Sequence, residues 1–180
     1  NRENDWIKSR HQLSGTGLTL NNVDWNLSPF HIATDSGKIS IDNFKLANKD
    51  QSISADGLIS SIPTDSLHIA FDNIDLENAF NMFNIGGASF KGMASADIHA
   101  ISLLESPAFF GNLTADNFSY MGSYGGHLEI EGIWNQELEC IDINALMNDE
   151  DKATTLFEGY YSPKNRFIDI DIDANRTDLY

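Results

Sequence analysis

Five histidines, a single cysteine and a run of alternating aspartates are the residues of this chain best equipped to bind a metal or drive a reaction. The histidines, His11, His31, His68, His99 and His127, stand singly, and no two have the spacing of a zinc site. Cys140 has no partner cysteine for a zinc set or an internal disulfide. In LECIDI it alternates with acidic residues and reads as an inert buried thiol. The run DIDIDANRTDLY (169–180) sets Asp169, Asp171 and Asp173 at positions 1, 3 and 5 of an EF-hand calcium loop. Position 6, which calls for glycine, is Ala174, and position 12, which calls for glutamate, is Tyr180. Ile168, Ile170 and Ile172 interleave the aspartates, so a half-buried strand with a wet acidic face is the expectation.

Other catalytic signatures are missing. There is no G-x-S-x-G, and GGASFKG (86–92) lacks the Lys-Ser/Thr end of a phosphate-binding loop. No strand–GxGxxG–helix unit appears, and the glycine cluster reads as a turn that opens a strand. Asn-x-Ser/Thr occurs at Asn112, Asn117 and Asn175, as chance supplies in a chain rich in asparagine. Trp6, Trp25, Trp134 and the pair Tyr160-Tyr161 have the rings for a sugar-stacking platform, but single aromatics inside apolar runs favour packing. No catalytic residue, cofactor or metal is expected, and the chain reads as non-enzymatic.

Composition narrows the partners. The net charge is −16, from 27 acidic against 11 basic residues, which disfavours nucleic acid and anionic membrane surfaces. With 41% hydrophobic residues, 180 residues can build a sizeable core, and no stretch approaches the ~20 apolar residues of a membrane-spanning helix. The opening NRENDWIKSR has no apolar signal region. It and the ending NRTDLY read as cut from a longer chain, in which targeting information would lie elsewhere.

The elements that position these residues are mostly strands. One phrase recurs: LNNVDW (20–25), IDNFKL (41–46), FDNIDL (71–76) and ADNFSY (115–120) each run apolar, Asp or Asn, Asn, apolar, any, apolar. Before the asparagine the apolar residues hold one parity, and after it they resume on the other. Because asparagine tolerates the left-handed region, a β-bulge or corner is expected there, with apolar side chains changing sides. Turn residues separate the strands at 48–50, 62–65, 86–87, 105–107 and 122–126, and Ser162-Pro163-Lys164-Asn165 predicts a hairpin turn. Leu76, Ala79, Phe80 and Phe83 instead follow a helical stripe, with Asp75 as N-cap, Glu77 in the first turn and Gly86 as the stop. The expected fold is all-β, an antiparallel curved sheet with one short helix near 76–83. Residues 1–14 form a lead-in and 15–180 a single domain.

Several longer phrases carry a family resemblance. ATTLFEGYYSPKNRFIDIDIDANRTDL (153–179) resembles the repeated unit of TamB-like periplasmic proteins, where an x-G-x-Y-x-P turn precedes an alternating strand. KISIDNFKLANKDQSISADGLIS (38–60) and LHIAFDNIDLENAF (67–80) are similar to its strand–turn–strand and strand-then-helix phrases. ESPAFFGNLTADNFSY (105–120) resembles a phrase shared with AsmA-like relatives. The resemblance covers most of residues 15–179. It implies a taco-like β-groove with an apolar interior, in the periplasm of a Gram-negative bacterium, cut from a parent anchored in the inner membrane. It also implies a role in outer-membrane protein assembly or phospholipid transfer, with no catalytic residues. The implied partners are phospholipid acyl chains or nascent outer-membrane β-strands, and a BamA/TamA-type outer-membrane protein reached through the parent chain.

Ile39, Ile41, Ile53, Leu67, Ile69, Phe71, Leu113, Leu128, Ile130, Ile168, Ile170 and Ile172 are the candidates for groove lining or core. Self-association through open sheet ends is a further expectation. The competing reading is a secreted or surface β-sandwich that binds glycan or protein with exposed aromatics. An open roll or closed sandwich fits the same alternation, which shows that each strand has an apolar face and not whether that face is covered.

Overall fold

The alternation read from the sequence becomes strand nearly throughout. The computed structural model describes residues 8–20, 23–82, 89–149, 153–162 and 164–176. The chain opens with β1 (Ser9–Leu13), β2 (Thr16–Leu20), β3 (Val23–Leu27) and β4 (Phe30–Asp35). Longer strands follow: β5 (Lys38–Asn48), β6 (Gln51–Ile59) and β7 (Ser66–Asp75), then the helix α1 (Leu76–Met82) and β8 (Phe90–Ile101). The series closes with β9 (Ala108–Tyr120), β10 (Ser123–Asn135), β11 (Cys140–Asp149), β12 (Ala153–Ser162) and β13 (Phe167–Arg176).

Hydrogen bonding links these strands into one open antiparallel sheet of 13 strands, in the order β1-β4-β5 and then consecutively to β13. Short connections make neighbours in sequence neighbours in the sheet, as antiparallel pairing allows. The β2–β3 hairpin joins beside β4, through Asn26 and Leu27 against Ala47 and Leu46 of β5. By packing, the chain divides into two compact units: Asn1–Ala70 with His99–Ala108, and Phe71–Ile98 with Phe109–Tyr180. Strand β1 lies within the expected lead-in and pairs with β4 from Ser9↔Thr34 to Leu13↔Phe30.

The recurrent asparagine is a bulge. Asn43, Asn73 and Asn117 have φ of 62°, 52° and 52°, and asparagine enters this left-handed region more readily than other side chains with a Cβ. The fourth position, Asn22, lies outside the described residues. The ladder between β5 and β6 slips between Ile41 and Phe44. The freed main-chain donors find side chains: Asn43 N–H donates to Asp56 Oδ2 at 2.8 Å, and Asn73 N–H to Ser95 Oγ at 3.0 Å. At Asn117 the apolar residues stay on one side, although the parity predicts that they change sides. Leu113 before the bulge and Phe118 after it pack on the same cluster of Ala94, Ala115 and Leu128. The extra residue absorbs the parity shift and keeps one face apolar.

Local signals explain the remaining elements. Asp75 caps α1, its Oδ1 accepting the N–H of Asn78 at 3.0 Å. Glu77 in the first turn pairs with Lys91 at 3.4 Å. Phe83 and Gly86, expected at the helix end, lie outside the described residues. The alternating aspartates form β13, which pairs with β12 from Ser162↔Phe167 to Ala153↔Arg176, so this run is a strand and not a calcium loop. The glycine run 122–126 is a turn only at its start. β10 begins at Ser123, and Gly126 (φ 87°) sits in the strand where the ladder to β9 slips.

Unit one buries several of its large side chains, while Leu13, Leu18, Ile62 and Leu104 stay exposed. Trp25, Phe30, Leu46 and Leu67 are buried, and the rings of Phe30 and Phe44 meet edge to face at 5.2 Å. Gly57 (φ 127°) lets the strands close: a Cβ there would collide with the carbonyl of Ser66. Below it, Ser60 Oγ donates to Asp65 Oδ2 at 2.8 Å, and Lys38 reaches the same carboxylate at 2.8 Å.

Candidate functional site

In the second unit, register fixes what shares a face. Reading across the strands, Leu113 stands opposite Ile130, then Ala145, Phe157 and Ile172. One step along, Gly111 stands opposite Gly132, then Ile143, Gly159 and Ile170. These residues point to one side because side chains alternate along each strand. The buried centre of this face is small, made of Ala94, Ala115 and Leu128. Larger side chains around a low floor leave a depression.

That depression is a groove of about 760 Å³. It is lined by Leu76 at the start of α1, Phe90 of β8, and Leu113, Phe118 and Tyr120 of β9. Ser123, Tyr124, Gly125, Leu128 and Ile130 of β10 and Ile143, Ala145 and Met147 of β11 continue it. Phe157, Ile168 and Ile170 complete the lining. Among the described residues no lining side chain carries a charge, and the lining hydroxyls belong to Tyr120, Ser123 and Tyr124, beside the β9–β10 turn. Its size falls within the ~300–1,000 Å³ of small-molecule pockets. The face stays open toward β13, where Ile168 and Ile172 are 60% and 64% exposed. A second apolar hollow of about 290 Å³ adjoins it, sharing Leu113 and Ile130 and adding Ile98, Phe109, Gly111, Gly132 and Ile141.

The opposite face of the same strands carries acidic, amide and hydroxyl side chains together with Leu146 and Leu156. Asn112, Thr114, Glu129, Glu131, Asn144 and Glu158 line a shallow cleft of about 360 Å³ there. Next to it, His127 Nδ1 lies 2.7 Å from Asp116 Oδ1, and Nε2 lies 3.3 Å from Glu129 Oε1. The hydrogen bond to Asp116 raises the His127 pKa above its ordinary value, against a smaller opposing effect of burial. This histidine is half exposed and has a carboxylate on each side, a clip between β9 and β10.

Of the residues expected to line a groove, Leu113, Leu128, Ile130, Ile168 and Ile170 do so. Ile172 shares their face and is exposed, and Phe71 is half-buried in β7. Ile39, Ile41, Ile53, Leu67 and Ile69 belong to unit one, where Leu67 is buried and the others are half-buried. The sequence reading did not single out Gly111, Gly132, Ala145 or Met147, whose place on the face comes from register across strands. It also missed a pairing within unit one, where His68 and His99 stack with ring centroids 4.7 Å apart, and Ser66 Oγ lies 3.3 Å from His99 Nδ1. Cys140 is buried, and burial first, then the Asp142 carboxylate, pushes its thiol pKa up, away from nucleophilic chemistry. Trp25 is buried, and Trp134 packs edge-on against Phe109 at 6.5 Å. The chain matches no family model, no curated protein and no solved structure.

Proposed function

We propose that this chain is a non-enzymatic segment whose groove holds the acyl chains of phospholipid. The observation that carries the reading is the uncovered groove of about 760 Å³, with no charged lining side chain among the described residues. An open apolar face forgoes part of the ~25 cal/mol per Å² that burial contributes, and a hydrocarbon occupant restores it. Each methylene taken from water adds about 0.8 kcal/mol.

In this reading the segment belongs to a TamB/AsmA-like envelope protein of the Gram-negative periplasm, with the parent anchored in the inner membrane. The parent supports outer-membrane protein assembly, phospholipid transfer, or both, and meets a BamA/TamA-type protein of the outer membrane. The phrases at 38–60, 67–80, 105–120 and 153–179 support this assignment. Nascent strands would pair at an end of the sheet, along β1 or β13, where strand addition is available. The same ends would carry any self-association.

The test is to purify the chain from a Gram-negative periplasm and analyse extracted lipid by mass spectrometry, followed by photo-crosslinking from Ile130 and Ile170. Bound phospholipid and acyl-chain crosslinks at both positions are expected. A lipid-free protein that captures no acyl chain at either position would overturn the proposal.

A further inference from the structure

The two ends of the groove differ. At the β9–β10 turn, Tyr120, Ser123 and Tyr124 are exposed and bring its hydroxyls. Further along β10, Gly132 stands opposite Gly111 in the adjoining apolar hollow of about 290 Å³. At roughly 3.3 Å per residue, Tyr124 to Gly132 covers about 26 Å. A chain in one leaflet occupies about 15 Å, half of the ~30 Å hydrocarbon core. The track therefore has room for an extended long chain, and a short chain leaves its far end empty.

Three arguments select the occupant. A polypeptide laid on this face would bury main-chain N–H and C=O groups against a lining almost without polar atoms, so a peptide fits poorly. A hydrocarbon chain carries no such groups. The chain's net charge of −16 opposes an anionic head group, whereas a zwitterionic one avoids that repulsion and can use the hydroxyls. Gly132 then sets the reach. A Cβ built there meets Ile141 Cγ2 at 3.3 Å and the Gly111 carbonyl oxygen at 4.0 Å, so a methyl already crowds the Ile141 side chain and a larger side chain fills the hollow.

We infer that the groove seats one long-chain zwitterionic amphiphile lengthwise, head group at the Tyr120, Ser123 and Tyr124 hydroxyls and chain end over Gly132, which gauges chain length. This rests on the lipid-binding reading above. The test compares decanoyl and palmitoyl lysophosphatidylcholine, each below its micelle concentration, on the full chain by titration calorimetry. Wild type is expected to bind the palmitoyl form at least about tenfold more tightly, and Gly132→Leu to weaken that form roughly tenfold, the loss of about two buried methylenes, without changing the decanoyl form. Undiminished palmitoyl binding by Gly132→Leu overturns the gauge. No binding of either probe by wild type overturns the lipid-binding reading itself. A second measurement keeps wild type: palmitoyl lysophosphatidylcholine with a photoreactive group at the chain end is expected to label Ile98, Phe109 or Ile141. Labelling at Tyr120 or Tyr124 overturns the orientation. Palmitoyl lysophosphatidylglycerol binding as tightly at low salt overturns the choice of head group.

Discussion

The two units build their apolar faces from similar strands and treat them differently. Unit one buries Trp25, Phe30 and Leu46, with exposures of 5%, 8% and 9%. In unit two the buried centre is alanine and one leucine, while isoleucines of the same face remain open to solvent. The buried centres differ in side-chain size. Aromatic pairs occur in both units: Phe30 meets Phe44 in unit one, while in unit two Phe90 meets Phe118 and Tyr120 in the groove wall. Beside that wall Gly111 stands opposite Gly132 and Ala145 opposite Ile130, which keeps the floor low.

The largest expected break in this contrast is energetic. Trp25→Ala removes a covered ring and is expected to lower unfolding stability by about 3–5 kcal/mol, while Ile168→Ala in the open groove changes it by less than about 1 kcal/mol. Urea unfolding of both variants measures this, and equal losses would erase the distinction. A smaller effect is expected at the Asn117 bulge, which keeps one face apolar. Asn117→Val forces a β-branched residue to adopt φ near 52° and is expected to cost about 1–2 kcal/mol, whereas Asn117→Gly stays within about 1 kcal/mol of wild type. Asp75→Ala strips the cap from α1 and is expected to cost about 1 kcal/mol in the same assay.

Proton linkage separates two clips, one in each unit, by sign. The raised pKa of His127 contributes stability that is complete below its unfolded value near 6.5 and fades as pH rises through the folded value. The Asp65 carboxyl is held below its usual range by hydrogen bonds from Lys38 and then Ser60. Its contribution is present above about 3.8, the unfolded value, and is lost as pH falls through the lower folded one. Against wild type, His127→Gln is therefore expected to lose stability at pH 5.5 and little at pH 8.5, a small effect at an exposed site. Asp65→Asn is expected to lose stability at neutral pH and little in strong acid. Thermal unfolding across pH reads both, and a His127→Gln deficit that grows with pH would contradict the assignment.

What could be read from the sequence was whatever a single strand encodes. The bulges at Asn43, Asn73 and Asn117 were visible because a left-handed φ is a local preference of asparagine. The helix of Leu76–Met82 showed in its period, and the β12–β13 hairpin in its turn residues. The direction of the apolar side chains after the Asn117 bulge was misread, because parity along one strand ignores the extra residue that the ladder absorbs. Alternation placed Leu113, Leu128, Ile130, Ile168 and Ile170 on an apolar face, without telling core from groove, and these five border the depression. The glycines under the groove, the His68–His99 stack and the His127–Asp116 clip were not found, because each depends on which residue the ladder places opposite which. Register between distant strands is written in no single segment.

The central claim is that the face of unit two is open and takes hydrocarbon. Carbene footprinting with mass spectrometry addresses it residue by residue, on delipidated protein with and without palmitoyl lysophosphatidylcholine. Heavy labelling of Ile130, Ile168 and Ile170 without lipid, protection of all three with it, and little labelling of Trp25 or Phe30 in either state are expected. Groove positions labelled as weakly as Trp25 before lipid is added, or unchanged after it, would contradict the account.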